Sequence, residues 1–346
     1  MWKRFKRHKA GVVGLIVFIF ILVLVVFAEF FAPYGQSQVT NYYNAPPQKI
    51  HFIDEGGNWH LPFVYERKST FDLNTGVMEW TEDTGRRLPI SLFVRGEPYF
   101  LFGKMRYLHF FGVEGGYVFL FGTNYIGQDV FSRLLYGGRV SLFIALITMI
   151  ITLVSGTVVG LISGYFKGVI DLVAQRIIEL FMIVPSVPLA LALAAFLPAD
   201  MDAHLLMLGI AVVLSITSWG NVARQVRGKT LTLREGIHVR AAVSLGASAP
   251  RILLRHILPS LYSHLIVLAT LTIPQTIIAE SGLSYLGFGV RSPYTSWGQL
   301  LQEAQNFRVI ALHPWIMIPG IAIIVAVIAL NLIGDALRDA ADPYMR

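Results

Sequence analysis

The sequence predicts an all-α polytopic membrane protein with six transmembrane helices and a small, β-rich extracytoplasmic insert. Three observations carry that prediction. Hydrophobic residues make up 55% of the 346-residue chain and charged residues only 14%, against about 25% charged in typical globular chains. Apolar runs of membrane-spanning length recur along the chain, each near the roughly 20 residues that a bilayer crossing needs. Between the first two runs lies a long polar stretch, residues 33–120, dense in turn signals.

A water-soluble domain of this size could not bury so much apolar surface, and a mean hydropathy of +0.60 excludes disorder and collagen. The net charge of +7 fits Lys and Arg gathered on cytoplasmic loops, the pattern of membrane proteins, better than nucleic-acid binding. There is no cysteine, so there is no disulfide framework, thiolate nucleophile or Cys-based metal site.

The first apolar run is Val12 to Phe31, broken only by Glu29, behind the basic lead Lys3, Arg4, Lys6, Arg7 and Lys9. It exceeds the roughly 7–15 residues of a signal-peptide core and shows no small-x-small cleavage site, so it reads as an uncleaved anchor. The others run from Val140 to Tyr165, Ile177 to Leu197, Leu205 to Val222, Leu261 to Ala279 and Trp315 to Leu332. Pro185, Pro188 and Pro274 fall within the third and fifth, where proline frees carbonyls and kinks the axis.

Loop charge sets the expected orientation. The segment Ala223 to Ser260 carries Arg224, Arg227, Lys229, Arg234, Arg240, Arg251 and Arg255 against Glu235 alone. The short loop with Asp200 and Asp202 holds no Lys or Arg. Both termini are therefore expected in the cytoplasm and the insert outside. Domains are expected at 1–32 (cytoplasmic N-terminus and first helix), 33–120 (insert) and 121–346 (transmembrane core with a cytoplasmic loop at 223–260). Turns at Ala45-Pro46-Pro47, Gly56-Gly57-Asn58 and Asn74-Thr75-Gly76 separate aromatic runs such as Leu61 to Tyr65 and Tyr99 to Phe102, which predicts short strands and hairpins.

Catalytic patterns are missing. Gly228-Lys229-Thr230 resembles the end of a phosphate-binding loop, but Ala223 stands where its first glycine belongs and no strand precedes it. The nine histidines form no zinc pattern, and there is no Gly-x-Ser-x-Gly elbow. Ser281 and Ser284 follow Glu280 without a partner Lys or His and read as surface or packing serines. Arg176 and Glu179 share a helix face, where they can pair. Charges inside a membrane are expensive and often functional, although these two also suit a snorkelling pair. Arg176, Glu179, Pro185, Pro274 and Glu280 are the candidates for lining or gating a path.

The most informative segment is the basic one. Arg240-Ala241-Ala242 leads to Gly246, and Pro250 to Leu258 leads to Pro259. Two short helices broken near Gly246 and stopped at Pro259 are expected. Such an element could pass rigid motion from a soluble partner into a bundle; a solvated basic loop over anionic lipid is the plainer alternative.

At this segment the sequence resembles the integral membrane permeases of bacterial ABC importers. Their loop reads Glu-Ala-Ala, three residues, Gly, nine residues, Ile-x-Leu-Pro. Ala241, Ala242, Gly246, Leu258 and Pro259 fall in register, while Arg240 replaces the acid and His256 the Ile. The peptide-importer branch is similar to this variant. Gly122-Thr123-Asn124 to Gly127-Gln128-Asp129, Ser132 to Gly137, Leu283 to Gly289 behind Glu280, Ser296-Trp297-Gly298, Pro314-Trp315, Pro319-Gly320 and Asn331 to Pro343 resemble its C-type oligopeptide/dipeptide permeases. Asn124 and Gln128 stand where Asp and Arg are usual.

The resemblance implies a five-helix type I importer core behind one extra helix in a bacterial inner membrane. It implies a B-type sister permease, two cytoplasmic ATPases and an extracytoplasmic solute-binding protein as partners, besides membrane lipid. The implied cargo is peptide, with oligosaccharides or nickel complexes as alternatives. A membrane-embedded sensor or enzyme is the remote one. The chain itself is expected to hold no cofactor and to catalyse nothing, with ATP and Mg²⁺ in the ATPases. The implied ATPase-coupling residues are Arg240, Ala241, Ala242, Gly246, Leu258 and Pro259.

Overall fold

The computed structural model describes residues 2–72, 77–101, 103–198 and 200–341. The expected turn at Asn74-Thr75-Gly76, Phe102 and the Asp342-Pro343 pair lie outside them. Two compact units emerge: Met1–Ile19 with Ser141–Gly289 and Ile323–Arg346, and Phe20–Val140 with Val290–Ala322.

The helices long and apolar enough to cross a membrane, among the described residues, number five, or six if a bent pair is one span. They are α1 (Lys9–Val26), α3 (Val130–Phe166), α6 (Ala203–Arg234), a rod α8 (Ala249–Tyr285) and the segment Pro314–Ala341, whose α-helical part is Ile318–Ala341. A short α2 (Ala28–Phe31) follows α1. The third expected span is not one helix. It is α4 (Gly168–Ile183) and α5 (Ser186–Ala195), bent by 86° at their junction. Pro185 sits at that junction in an extended conformation, and proline biases the residue before it, Val184, out of the helical region. Pro274 lies inside α8 without ending it.

In the first unit, glycine lets helices approach to backbone distance. A Cβ on Gly156, Gly160 or Gly164 would meet Val222 Cβ at 2.7 Å, the Ala223 carbonyl at 2.6 Å and Thr230 Cβ at 2.7 Å. These glycines recur every four residues on one face of α3, and α6 packs into the stripe. Lipid supplies no hydrophobic drive for helix pairing, so van der Waals fit and interhelical hydrogen bonds decide it. Ser215 donates to the Thr148 carbonyl at 3.3 Å across the same interface. Gly11 and Gly14 serve likewise, against Ala336 and Ala329.

In the second unit, the insert is a four-stranded antiparallel meander of β1 (His51–Ile53), β2 (Trp59–Asp72), β3 (Val77–Leu101) and β4 (Lys104–Val113). The expectation of short strands is corrected: β3 has 25 residues. It serves two partners in succession, Val77 to Pro89 pairing with β2 and Ile90 to Leu101 with β4. Leu61–Tyr65 and Tyr99–Leu101 are parts of these long strands. Val64, Leu88, Phe111 and Val118 form the apolar core. Gly57 turns β1 into β2 at φ +80°, as the Gly56-Gly57-Asn58 signal indicates.

The glycine stripe yields a paired test. Gly160→Leu should lower stability by about 1–3 kcal/mol through overpacking. Gly228→Ala, with open space around it on α6, should raise it by up to about 1 kcal/mol through helix propensity. Thermal unfolding of purified chain in detergent reads both.

Candidate functional site

The segment expected to be a loop over Ala223–Ser260 is mostly helix. α6 runs on to Arg234, and α8 begins at Ala249. Between them stands α7 (Ile237–Ser244). It ends in a Schellman motif: the Ala247 N–H donates to the Ala242 carbonyl at 3.0 Å and the Gly246 N–H to the Val243 carbonyl at 2.9 Å. That closure needs a left-handed residue, and Gly246 supplies it at φ +74°. A Cβ there would meet nothing within 4 Å, so conformation, not crowding, requires the glycine.

Pro259 does not stop a helix, contrary to expectation. It lies in the first turn of the α-helix that starts at Leu258, directly after a π turn over Leu253–Ile257. The Leu258 N–H donates five residues back, to the Leu253 carbonyl. The wider turn gives the proline ring the room that an α-turn would deny it.

The element has two unlike faces. Inward, Val239, Ala242, Ile252 and Ile257 join Leu161, Val222, Val226, Leu261 and Leu268 in one buried cluster. Outward, Ile237 and Leu245 are each 88% exposed, and Val243 and Leu254 are 53% and 61% exposed. Arg240 and Ala241 are exposed, Leu258 is partly buried and Pro259 exposed. Arg240, standing where the resemblance implies an acid, donates to Glu235 at 2.8 Å, and Lys167 reaches the same carboxylate at 3.1 Å. Arg240 and then Lys167 hold the Glu235 carboxyl below its usual range. Nearby, Arg227 grips Asp171 with two bonds of 2.6 Å, and Ser163 adds a third.

The same unit holds a cleft of about 540 Å³ between α5, α6 and α8. Its polar lining is uncharged: Ser186, Thr217, Asn221, Gln225, Thr272 and Gln275 are among it. Val222 and Leu268 belong both to this lining and to the buried cluster under α7.

The candidate path residues are not brought together there. Arg176 and Glu179 pair at 2.8 Å on an exposed face of α4, away from the cleft lining. Pro185 is adjacent to the lining residue Ser186. Pro274 is buried in α8. Glu280 is fully buried, accepting from Ser141 at 3.0 Å and Ser284 at 2.6 Å. Ser281 and Ser284 are thus buried rather than surface serines. Sequence reading passed over the cleft lining, although Thr217, Asn221 and Gln225 recur at helical spacing in an apolar run.

In the second unit, the Gly122–Gly137 stretch is held by two tryptophans. The Trp315 indole donates to the Thr123 carbonyl and the Trp297 indole to the Leu134 carbonyl, each at 2.9 Å. Asn124 donates to Gln128 at 3.2 Å and to Glu303 at 3.1 Å, so amide hydrogen bonds stand where the resemblance implies Asp and Arg. Asp129 caps α3 through the Ser132 amide and hydroxyl.

Two family profiles match the chain. One, described as a binding-protein-dependent transport system inner membrane component, covers residues 156–346, more than half of the chain. The chain belongs to that family. The second, an N-terminal TM domain of oligopeptide transport permease C, covers residues 1–47. Over its whole length the chain is 30% identical to the oligopeptide transport system permease protein OppC of Bacillus subtilis (strain 168), covering 90% of it. It is 38% identical over 225 residues, 65% of this chain and 72% of the relative, to the glutathione transport system permease protein GsiD of Pectobacterium atrosepticum. It is 40% identical over 226 residues to the GsiD of Escherichia coli O1:K1 / APEC, at 65% and 72% coverage. This permease is thus a multi-pass inner-membrane protein, and its family serves transport rather than catalysis.

Two outcomes are expected. Gly246→Val should destabilise the permease by about 1–2 kcal/mol and Gly246→Asn by less, because Asn tolerates the left-handed region; thermal unfolding separates them. Burial pushes the Asp129 carboxyl up to about 6 from 3.8. The folded state then binds the extra proton between those values, so this group should add stability as pH falls from about 7 to about 4, by up to about 3 kcal/mol. Asp129→Asn should flatten that slope in melts across the window.

Proposed function

We propose that this chain is one of two permease subunits of an ATP-driven importer of peptides. One observation carries the reading: Val222 and Leu268 join the wall of a polar cleft to the buried seat of the coupling element. Movement of that element cannot leave the cleft unmoved, because close-packed side chains transmit displacement. Cytoplasmic ATPases would grip the outward face of Ile237, Leu245 and Leu254 around Arg240, Ala241 and Gly246. Closure on ATP would rock α6 and α8 and alternate access to the cleft. ATP and Mg²⁺ belong to those subunits. A solute-binding protein would deliver cargo on the side of the insert, with both permease termini in the cytoplasm. The division into anchor, insert and core (1–32, 33–120, 121–346) follows from that arrangement.

Peptide cargo is supported by the names of the relatives and by the chemistry of the lining. Hydroxyls and amides offer hydrogen bonds that any peptide backbone can meet, and no lining charge selects one side-chain sign. Arg176, Glu179, Pro185, Pro274 and Glu280 would then shape the path indirectly, as a surface pair, a bend and buried supports.

The test is Ile237→Glu combined with Leu245→Glu. Both side chains are almost wholly exposed, so folding and melting temperature should stay unchanged. ATP-driven peptide uptake by the reconstituted complex should fall at least about tenfold, a loss of roughly 1.4 kcal/mol or more of coupling. Undiminished uptake with normal ATPase capture would refute the coupling role.

A further inference from the structure

The distal half of the insert exposes apolar side chains in an arrangement that water does not explain. Phe30 and Phe31 end the apolar stretch of α1 and α2. From Val12, that apolar run is 20 residues, about the length that one bilayer crossing needs. Phe30 and Phe31 therefore lie at the level where hydrocarbon gives way to headgroups. The β3–β4 hairpin packs on them. Phe110 lies 5.9 Å from Phe30 and 5.4 Å from Phe31 between ring centroids, and Phe93 lies 6.3 Å from Phe30 and 6.0 Å from Phe110. His109 ties the hairpin down, its Nδ1 2.7 Å from the Ala32 carbonyl oxygen.

Phe93 and Leu108 nevertheless remain 56% and 42% exposed. Side chains on β4 alternate, so Phe110, Leu108, Arg106 and Lys104 share a face. Cross-strand pairing of Arg95 with Leu108 adds Arg95 to it. Among the described residues, Arg95, Lys104 and Arg106 form no ion pair. The face is thus aromatic near the helix end and basic toward the hairpin tip. Aromatic rings at headgroup level and cations near lipid phosphate are the two chemistries of the membrane interface.

We propose that the β3–β4 hairpin rests on the bilayer, with Phe93, Leu108 and Phe110 at the acyl boundary and Arg95, Lys104 and Arg106 on anionic phospholipid headgroups. The contact holds for either orientation of the chain, because it follows from the depth of Phe30 and Phe31. It gives the hairpin a fixed floor on one side.

The chain has no native cysteine, so single labels are unambiguous. Full-length Phe93→Cys, Leu108→Cys and, as a control on β2, Leu61→Cys carry an environment-sensitive fluorophore in nanodiscs of phosphatidylcholine with phosphatidylglycerol. Lipids spin-labelled near the headgroup should quench the first two and spare the third. Arg95→Glu with Arg106→Glu should reduce the preference for anionic over neutral discs by roughly two- to five-fold per charge. Leu108→Cys keeps the test valid if Phe93→Cys folds poorly. No quenching at Leu108→Cys, or equal quenching at Leu61→Cys, would overturn the proposal. So would quenching that disappears once the sister permease is reconstituted, which would give the face to that protein.

Discussion

The structure of the first unit depends on how closely α3 and α6 approach. In lipid an apolar side chain gains nothing by leaving its surroundings, so a bundle cannot be held by burial alone. Gly156, Gly160 and Gly164 remove the side chains that would keep the two backbones apart. The contact then fixes α6, whose lower half carries Val222 and Val226 into the cluster beneath α7 and whose polar side chains face the cleft. The cleft wall and the seat of α7 are consequences of one helix held in one place.

The charged residues follow a consistent division. Arg227 on α6 holds Asp171 on α4, and Lys167 and Arg240 hold Glu235 at the turn into α7. Each cation meets a carboxylate from a different element, so these pairs fasten elements rather than decorate one helix. Arg139 does the same in the second unit, gripping Glu29 with two bonds of 2.6 Å and reaching the Val25 and Val26 carbonyls. The lone acid interrupting the first apolar run is thereby neutralised. The cleft, by contrast, keeps charges out of its lining.

Most spans were legible in the sequence because twenty apolar residues have few alternatives, and the break after α7 because small residues and Gly246 announce it. The glycine stripe also left a signal, the four-residue recurrence of Gly156, Gly160 and Gly164, but sequence reading passed over it. Partner choice was not legible. Nothing local in Asp171 names Arg227, 56 positions away. Pro259 misled because proline often ends a helix, and the widened turn that precedes it here is a tertiary solution without a sequence signature. The length of β3 was hidden for a similar reason. A strand that changes partners midway reads as two short ones, because the evidence for continuity lies in its neighbours.

The π turn at Leu253–Ile257 also sets an angular phase. It inserts one residue beyond the α-helical count between Ala249–Ile252 and the membrane portion of α8. One residue corresponds to about 100° of rotation around a helix axis. The seat of Ile252 in the buried cluster, and with it the direction in which Leu254 projects, is indexed by that single supernumerary residue. The permease thus carries a clocking device between α7 and the rest of α8, in which azimuth is set by residue count and is independent of the helix's depth.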